Sequence, residues 1–218
     1  RNNYKKPEQQ RWYSGETISL GIGQGYNTFT MLQLASATAT IANGKTKYKP
    51  QLIIGTQDAV TRVKTPIANS QAINLSYKPE HIAVIHKALA GVTTEGTSAR
   101  VFLGSGYQSA GKTGTAQAVT IGQKDKYDAR KIEEHQRDHA LYMAFAPLND
   151  PQVALAVVVE NAGFGAEHAA PIARRVFDYL IHGNYPSAED IAAVQVAKAA
   201  SPIGKPRKIK DLPWPLEP

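Results

Sequence analysis

Cysteine is absent from all 218 residues. Disulfides and thiolate metal sites are therefore excluded, and the absence suits cytosol and periplasm alike. No run of about 18 apolar residues occurs, so no segment of this chain reads as a membrane span. A secretory leader pattern is lacking as well, and the first residue is Arg1 rather than methionine. Acidic residues are in deficit: 25 Lys and Arg stand against 18 Asp and Glu, for a formal charge of +7 and a pI near 9.5. A basic balance can serve nucleic acid, anionic lipid or an anionic wall polymer. Here much of the excess lies at Lys5-Lys6, Lys45 to Lys49 and Lys205 to Lys210. No compact basic-aromatic motif accompanies it, which speaks for a solvated surface and against nucleic-acid binding. Hydrophobic residues make up 42% of the chain, enough for a core and too many for a disordered chain.

The stretch Ser109-Ala110-Gly111-Lys112-Thr113-Gly114-Thr115-Ala116-Gln117 carries the most chemistry. It sets the Lys112 cation, the Thr113 and Thr115 hydroxyls and two glycines on what reads as one strand. Glycine within a strand lets a ligand or another backbone come close. Lys112 offers positive charge, and Thr113 and Thr115 offer hydroxyl donors. That set suits a carboxylate, or a carbonyl turning into an oxyanion. K-T-G is also the third element of the serine acyl-enzyme signature of S-x-x-K, S-x-N and K-T-G.

Further motifs stand in order around it: Gly21-Ile22-Gly23-Gln24-Gly25-Tyr26, Thr30 to Ala35, Ile41-Ala42-Asn43-Gly44, Arg137-Asp138-His139, Ala144-Phe145-Ala146-Pro147, Glu160-Asn161-Ala162-Gly163 and Ala170 to Arg175. Together, from about Tyr13 to Gly183, they resemble the C-terminal half of the transpeptidase domain of the class B penicillin-binding protein 2 family of cell elongation. The resemblance implies an α/β (α+β) fold, a five-stranded antiparallel sheet with flanking helices and a helical subdomain, of which only part is present. It implies that K-T-G lies on an edge strand and that substrate lies along it. Lys112 would hold the electrostatic field and contact the S-x-N serine. Thr113 and Thr115 would bind the substrate carboxylate, the Thr115 backbone N–H would be an oxyanion donor, and Gly114 would keep the strand open.

The implied function is D,D-transpeptidation of peptidoglycan stem peptides ending in D-Ala-D-Ala, with β-lactams as mimics of that end. The implied partners are a SEDS-type glycosyltransferase and elongation-complex proteins. The implied location is the periplasm, with an N-terminal inner-membrane anchor outside this chain. A D,D-carboxypeptidase, a serine β-lactamase and a non-catalytic wall-peptide or β-lactam binding module are the alternatives. The chain departs from the family pattern in having no S-x-N. Its only S-x-x-K, Ser109 to Lys112, shares the K-T-G lysine and falls on a strand, where positions three apart face opposite ways. No nucleophile is expected in this chain, which reads as a fragment. No cofactor is expected. A nucleotide site at Gly21 to Gly25 is set aside because neither a full G-x-G-x-x-G nor a G-K-[ST] is present. A metal site at His135 and His139 is set aside because Gln136 stands where H-E-x-x-H needs glutamate.

Residues 1–183 are read as the transpeptidase part, with 1–13 an arm or loop, and 184–218 as a basic, Pro-containing C-terminal tail that combines an alanine-rich stretch with a Pro/Lys-rich, mobile end. Periodicity predicts a helix over about 30–42, capped by Asn27 and Thr28 and burying Met31, Leu34, Ala35, Thr38 and Ile41. A strand is predicted near 48–54 and a loop over 55–76. A second helix opens at Pro79, buries Ile82, Ile85, Leu89 and Ala90, and ends at Gly91. A short helix is expected over 97–103. Strands are predicted at 108–118, 139–147 (Leu141, Met143 and Phe145 on one face) and 153–159, the last apolar on both faces. A charged loop is expected over 120–138. A final helix over 169–182 should bury Ile172, Val176, Leu180 and Ile181 and stop at Gly183. Arg137, Asp138 and His139 are read as a polar brace, and His81 and His86 as surface or boundary residues.

Overall fold

A computed structural model describes residues 6–25, 27–68, 72–118, 132–196, 198 and 200–208. The chain divides into two compact units, Arg1–Thr30 and Met31–Pro218. In the first, the expected arm contains a single helical turn, α1 (Pro7–Gln10), followed by α2 (Ser14–Gly21). Glu16 accepts the Tyr13 N–H at 2.8 Å, satisfying a donor at the start of α2. Helix α2 reaches into the glycine run, and a turn begins after Gly21, where Gly23 and Gly25 take φ of 81° and 71°. The Asn27 side-chain amide donates to the carbonyls of Leu20 and Gln24.

The second unit begins with α3 (Met31–Asn43). Gly44 stops it, in the left-handed region at φ 82°. The predicted face of α3 does turn inward. Thr38 is fully buried on it, because its hydroxyl donates to the Leu34 carbonyl at 2.7 Å. The expected strand at 48–54 and loop at 55–76 resolve differently, as β1 (Thr46–Tyr48), β2 (Gly55–Gln57), β3 (Lys64–Pro66) and β4 (Ala72–Asn74). β1 pairs with β4 and β2 with β3, both antiparallel. These strands are three residues long and largely exposed, so they carry no alternation for a sequence to reveal. Next, α4 (Pro79–Thr94) runs one turn past Gly91. On it Ile85 is exposed, and His86 packs inward instead. The His86 ring lies 5.2 Å from the Phe145 ring, and its Nε2 is 2.7 Å from the Ile41 carbonyl. A short α5 (Ala99–Phe102) follows.

The main sheet is β5 (Ala110–Ala116), β6 (His139–Ala146) and β7 (Val153–Val159), antiparallel in the order β5-β6-β7. Of the charged loop expected over 120–138, residues 119–131 lie outside the described residues. Helix α6 (Gly165–His182) starts four residues before its expected first turn. It packs with α5 on one face of the sheet, where Ala140, Tyr142 and Ala144 meet Ala169, Ala170, Ala173 and Phe177. On the other face α3 and α4 bring Ala42 and Leu89 to Ala110, Phe145 and Ala154. The sheet is thus the middle layer of three. Both faces of β6 are covered: Leu141, Met143 and Phe145 share one face as expected, and Ala140, Tyr142 and Ala144 on the other are fully buried. Of the face expected for α6, Ile181 packs against this core and Ile172 is half-buried. Val176 and Leu180 are 37% and 52% exposed, whereas alanines and Phe177 face the sheet.

The segment after Gly183 carries structure of its own. It contains α7 (Ala188–Gln195), capped by the Ser187 hydroxyl, which accepts the Asp190 N–H. Tyr185 and Arg207 exchange backbone hydrogen bonds of 2.9 Å.

Candidate active site

K-T-G occupies the middle of β5. Lys112 is opposite Met143, Thr113 opposite Tyr142, Gly114 opposite Leu141 and Thr115 opposite Ala140. Among the described residues β5 pairs with β6 alone, so it is the sheet's edge strand. Lys112 is exposed, and its ammonium donates to the Thr113 carbonyl at 2.7 Å. Ser109, three residues earlier, is buried at 3% exposure, and its Oγ has no hydrogen-bond partner among the described residues. Buried Ser109 and exposed Lys112 therefore sit in different surroundings on one extended chain.

The face of β5 shared by Gly111, Thr113 and Thr115 turns toward Tyr142. A Cβ on Gly111 would fall 2.5 Å from the Tyr142 hydroxyl. That hydroxyl lies 3.0 Å from the Ser98 hydroxyl, which also donates to the Val92 carbonyl at 3.0 Å. Burial pushes the Tyr142 phenol up to about 12, so the ring stays neutral and its hydroxyl remains available as a donor. The Ser98 bond opposes this rise without cancelling it. The turn between α4 and α5 is thereby fastened to the strand opposite Thr113. It brings the Thr97 hydroxyl to 3.2 Å from the Thr113 hydroxyl. At the start of β5, Thr93 donates to the Ser109 carbonyl at 2.7 Å. Sequence reading singled out neither Thr97 nor Ser98. They are 16 residues from Thr113 and 44 from Tyr142 respectively, and no local pattern links them.

Beyond the end of β5, Asp138 is 5% exposed and accepts the Ala118 N–H at 3.3 Å. Its carbonyl accepts the Gly163 N–H at 2.8 Å. Asn161, in the left-handed region at φ 56°, donates its amide to the carbonyls of His135 and Arg137. The Asn161 backbone N–H meets His139 Nδ1 at 3.0 Å, which places the proton of a neutral ring on Nε2. The E-N-A-G and R-D-H motifs thus tie the end of β7 to the start of β6 and to the segment after K-T-G-T-A. His139 is engaged in that tie. His135 sits at the surface with Glu133 3.3 Å away. No group of three or more His, Asp or Glu suited to a metal occurs among the described residues.

Helix α6 begins directly against K-T-G. A Cβ on Gly165 would lie 2.1 Å from the Leu141 carbonyl oxygen and 2.6 Å from that of Gly114. Only glycine allows this approach of helix to backbone. Two buried arginines in α6 then anchor its surroundings. Arg174 pairs with Asp178 at 2.8 Å and donates to the Val101 carbonyl at 2.9 Å. Arg175 grips Asp190 with both Nε and Nη2, and donates to the Pro171 and Ala200 carbonyls.

A three-layer antiparallel domain thus presents exposed Lys112 and half-buried Thr113 and Thr115 along its edge strand, an edge of the kind at which an extended peptide can add as a further strand. Residues 2–178 match the family model of the penicillin binding protein transpeptidase domain, and the chain belongs to that family. It is 35% identical over 191 residues to the peptidoglycan D,D-transpeptidase MrdA of Haemophilus influenzae, an alignment covering 85% of this chain and 28% of that protein. It is similar to the crystal structure of Pseudomonas aeruginosa PBP2, with TM-score 0.60 and 34% identity over 85% of this chain and 37% of that one. PBP2 of Helicobacter pylori, solved in complex with MreC, aligns with TM-score 0.59 and 25% identity over 81% of this chain and 29% of that one. The chain therefore spans under a third of the length of the curated relatives it matches. No helix among the described residues is long and apolar enough to cross a membrane.

Proposed function

We propose that this chain is the K-T-G part of a peptidoglycan D,D-transpeptidase whose nucleophilic serine lies outside it. The observation that carries the reading is the exposure of Lys112 on the edge strand β5, with Thr113 and Thr115 beside it. The stem peptide lies along β5. A serine Oγ from the rest of the protein attacks the carbonyl between the two terminal D-alanines. The tetrahedral oxyanion takes a hydrogen bond from the Thr115 N–H, the C–N bond breaks, and D-alanine leaves as the amine after gaining a proton. An amine of a second stem peptide then attacks the ester and regenerates the serine. Lys112 supplies the positive field, Thr113 and Thr115 hold the terminal carboxylate, and Gly114 keeps the strand open. A β-lactam enters the same path and stops at the acyl-enzyme. A periplasmic, membrane-anchored protein working with elongation partners such as MreC fits the relatives.

Lys112→Ala in the full-length protein tests the reading. Acylation by a fluorescent penicillin should fall by about two orders of magnitude or more, the scale seen when a charge-stabilising group is removed from an active site. The melting temperature should hardly move, since Lys112 is exposed. Acylation at the normal rate would overturn the assignment.

A further inference from the structure

The hydroxyls of Thr97 and Thr113 are 3.2 Å apart, and either could donate. A hydroxyl has one proton and two lone pairs. If Thr113 spends its proton on Thr97, it meets a carboxylate with lone pairs only, which repels. If Thr97 donates, Thr113 becomes the acceptor on that side and its own proton points elsewhere. A carboxylate accepts hydrogen bonds and never donates them. Only the second arrangement lets Thr113 serve an anionic ligand.

The position of Thr97 is set by the main chain. Gly96 donates to the Gly91 carbonyl at 2.8 Å, and Ser98 donates to the Val92 carbonyl through its backbone at 3.1 Å and its side chain at 3.0 Å. A Cβ on Gly96 would fall 2.8 Å from Val92 Cα, so the turn is as tight as glycine permits. Fully buried Ser98 is joined to Tyr142, the residue opposite Thr113. The donor and the acceptor are thus referenced to the same strand pair.

Building on the reading of Thr113 as a carboxylate ligand, we propose that Thr97 is a positioning residue that donates to Thr113 and so directs the Thr113 proton at the substrate's terminal carboxylate. Thr97 itself does not touch the substrate. Its effect is confined to ligands that carry the negative charge.

The test uses the full-length protein with Thr97→Val, Thr97→Ser, Thr113→Val and the Thr97→Val/Thr113→Val double variant. Second-order acylation constants are measured for benzylpenicillin and for its methyl ester, by competition with a fluorescent penicillin, alongside melting temperatures. Thr97→Val should slow acylation by benzylpenicillin about tenfold, the scale of a hydrogen bond to a charged group. The ester should be little affected. Thr97→Ser should recover the benzylpenicillin rate, and the double variant should be no slower than Thr113→Val. If Thr113→Val is slow and Thr97→Val is not, the proposal fails while the carboxylate role of Thr113 survives. Equal slowing of acid and ester by Thr97→Val would also overturn it, as a general disturbance of the turn. Normal rates for Thr113→Val would overturn the carboxylate role and the proposal together.

Discussion

Arg175 and Asp190 are 9% and 0% exposed at their side chains, buried beside Ser187, Asp178 and Ile203. Asp190 accepts from both Nε and Nη2 of Arg175 and from the Ile203 N–H at 3.1 Å. Such a pair gains little over a well-packed apolar replacement, yet removing one member strands the other charge in the interior. Asp190→Ala in the full-length protein should cost about 3–5 kcal/mol. Arg175→Met/Asp190→Leu should cost less than Asp190→Ala alone. Chemical denaturation of the set checks this, and a loss below about 1 kcal/mol for Asp190→Ala would refute it. At this scale the sequence was uneven. Lys112, Thr113 and Thr115 were legible because three chemical functions stand within four positions of one strand. The arginines were visible as a motif, but their burial was not. A helical wheel counts arginine as solvent-facing, and only Asp178 and Asp190 reverse that. Thr97 was silent, because its contact with Thr113 is made by the fold.

Helix α6 and strand β5 meet glycine against glycine. Gly114 directs its missing side chain toward Leu141, where a Cβ would stand 3.2 Å from the Leu141 Cβ. Its backbone is left bare on the other face, and Gly165 fills that space. A methyl group at Gly165 would push against two carbonyl oxygens that cannot turn aside, so α6 or the β5–β6 pair must shift. Gly165→Ala should therefore destabilise by roughly 1–3 kcal/mol, the usual scale of overpacking. It should also slow penicillin acylation, although residue 165 contributes no functional group. Gly114→Ala meets only a tight side-chain contact and should destabilise less. Melting temperatures and acylation rates of the two variants measure this; unchanged values for Gly165→Ala would show that the helix start is not pressed on the strand.

The strong elements were legible for physical reasons. β7 matches its predicted span, Val153–Val159, because an uninterrupted apolar run between turns fits a strand in a middle layer. α3 and α4 announced themselves through helical spacing, Asn43-Gly44 and Pro79. By contrast, β1 to β4 are short and exposed, and their register comes from pairing with each other rather than from burial. The start of α6 was missed because Gly165 weakens helix propensity where tertiary contact demands glycine.

At the scale of the whole molecule, the sheet ends on its most apolar strand. All seven residues of β7 are only half-buried. α6 and α3 cover its two faces, but among the described residues no strand pairs with its outer side. No residue from Val153 to Val159 carries a charge or a proline that would discourage pairing with another chain. The same unit exposes Leu52 at 101%, Ile54 at 83% and Val60 at 90%. In the relatives, more than two thirds of the protein lies outside the aligned part. Backbone groups along an apolar edge gain hydrogen bonds and burial by strand pairing, and a second copy of β7 offers a matching edge. The isolated 218-residue chain should therefore self-associate or precipitate at micromolar concentration, whereas the full-length protein should not. Size-exclusion chromatography with circular dichroism on both checks this. Replacing Val157 by lysine or Ala156 by proline in the isolated chain should reduce the associated fraction. A monodisperse monomer of the unaltered 218-residue chain with one cooperative thermal transition would show that the three-stranded sheet is closed as it stands.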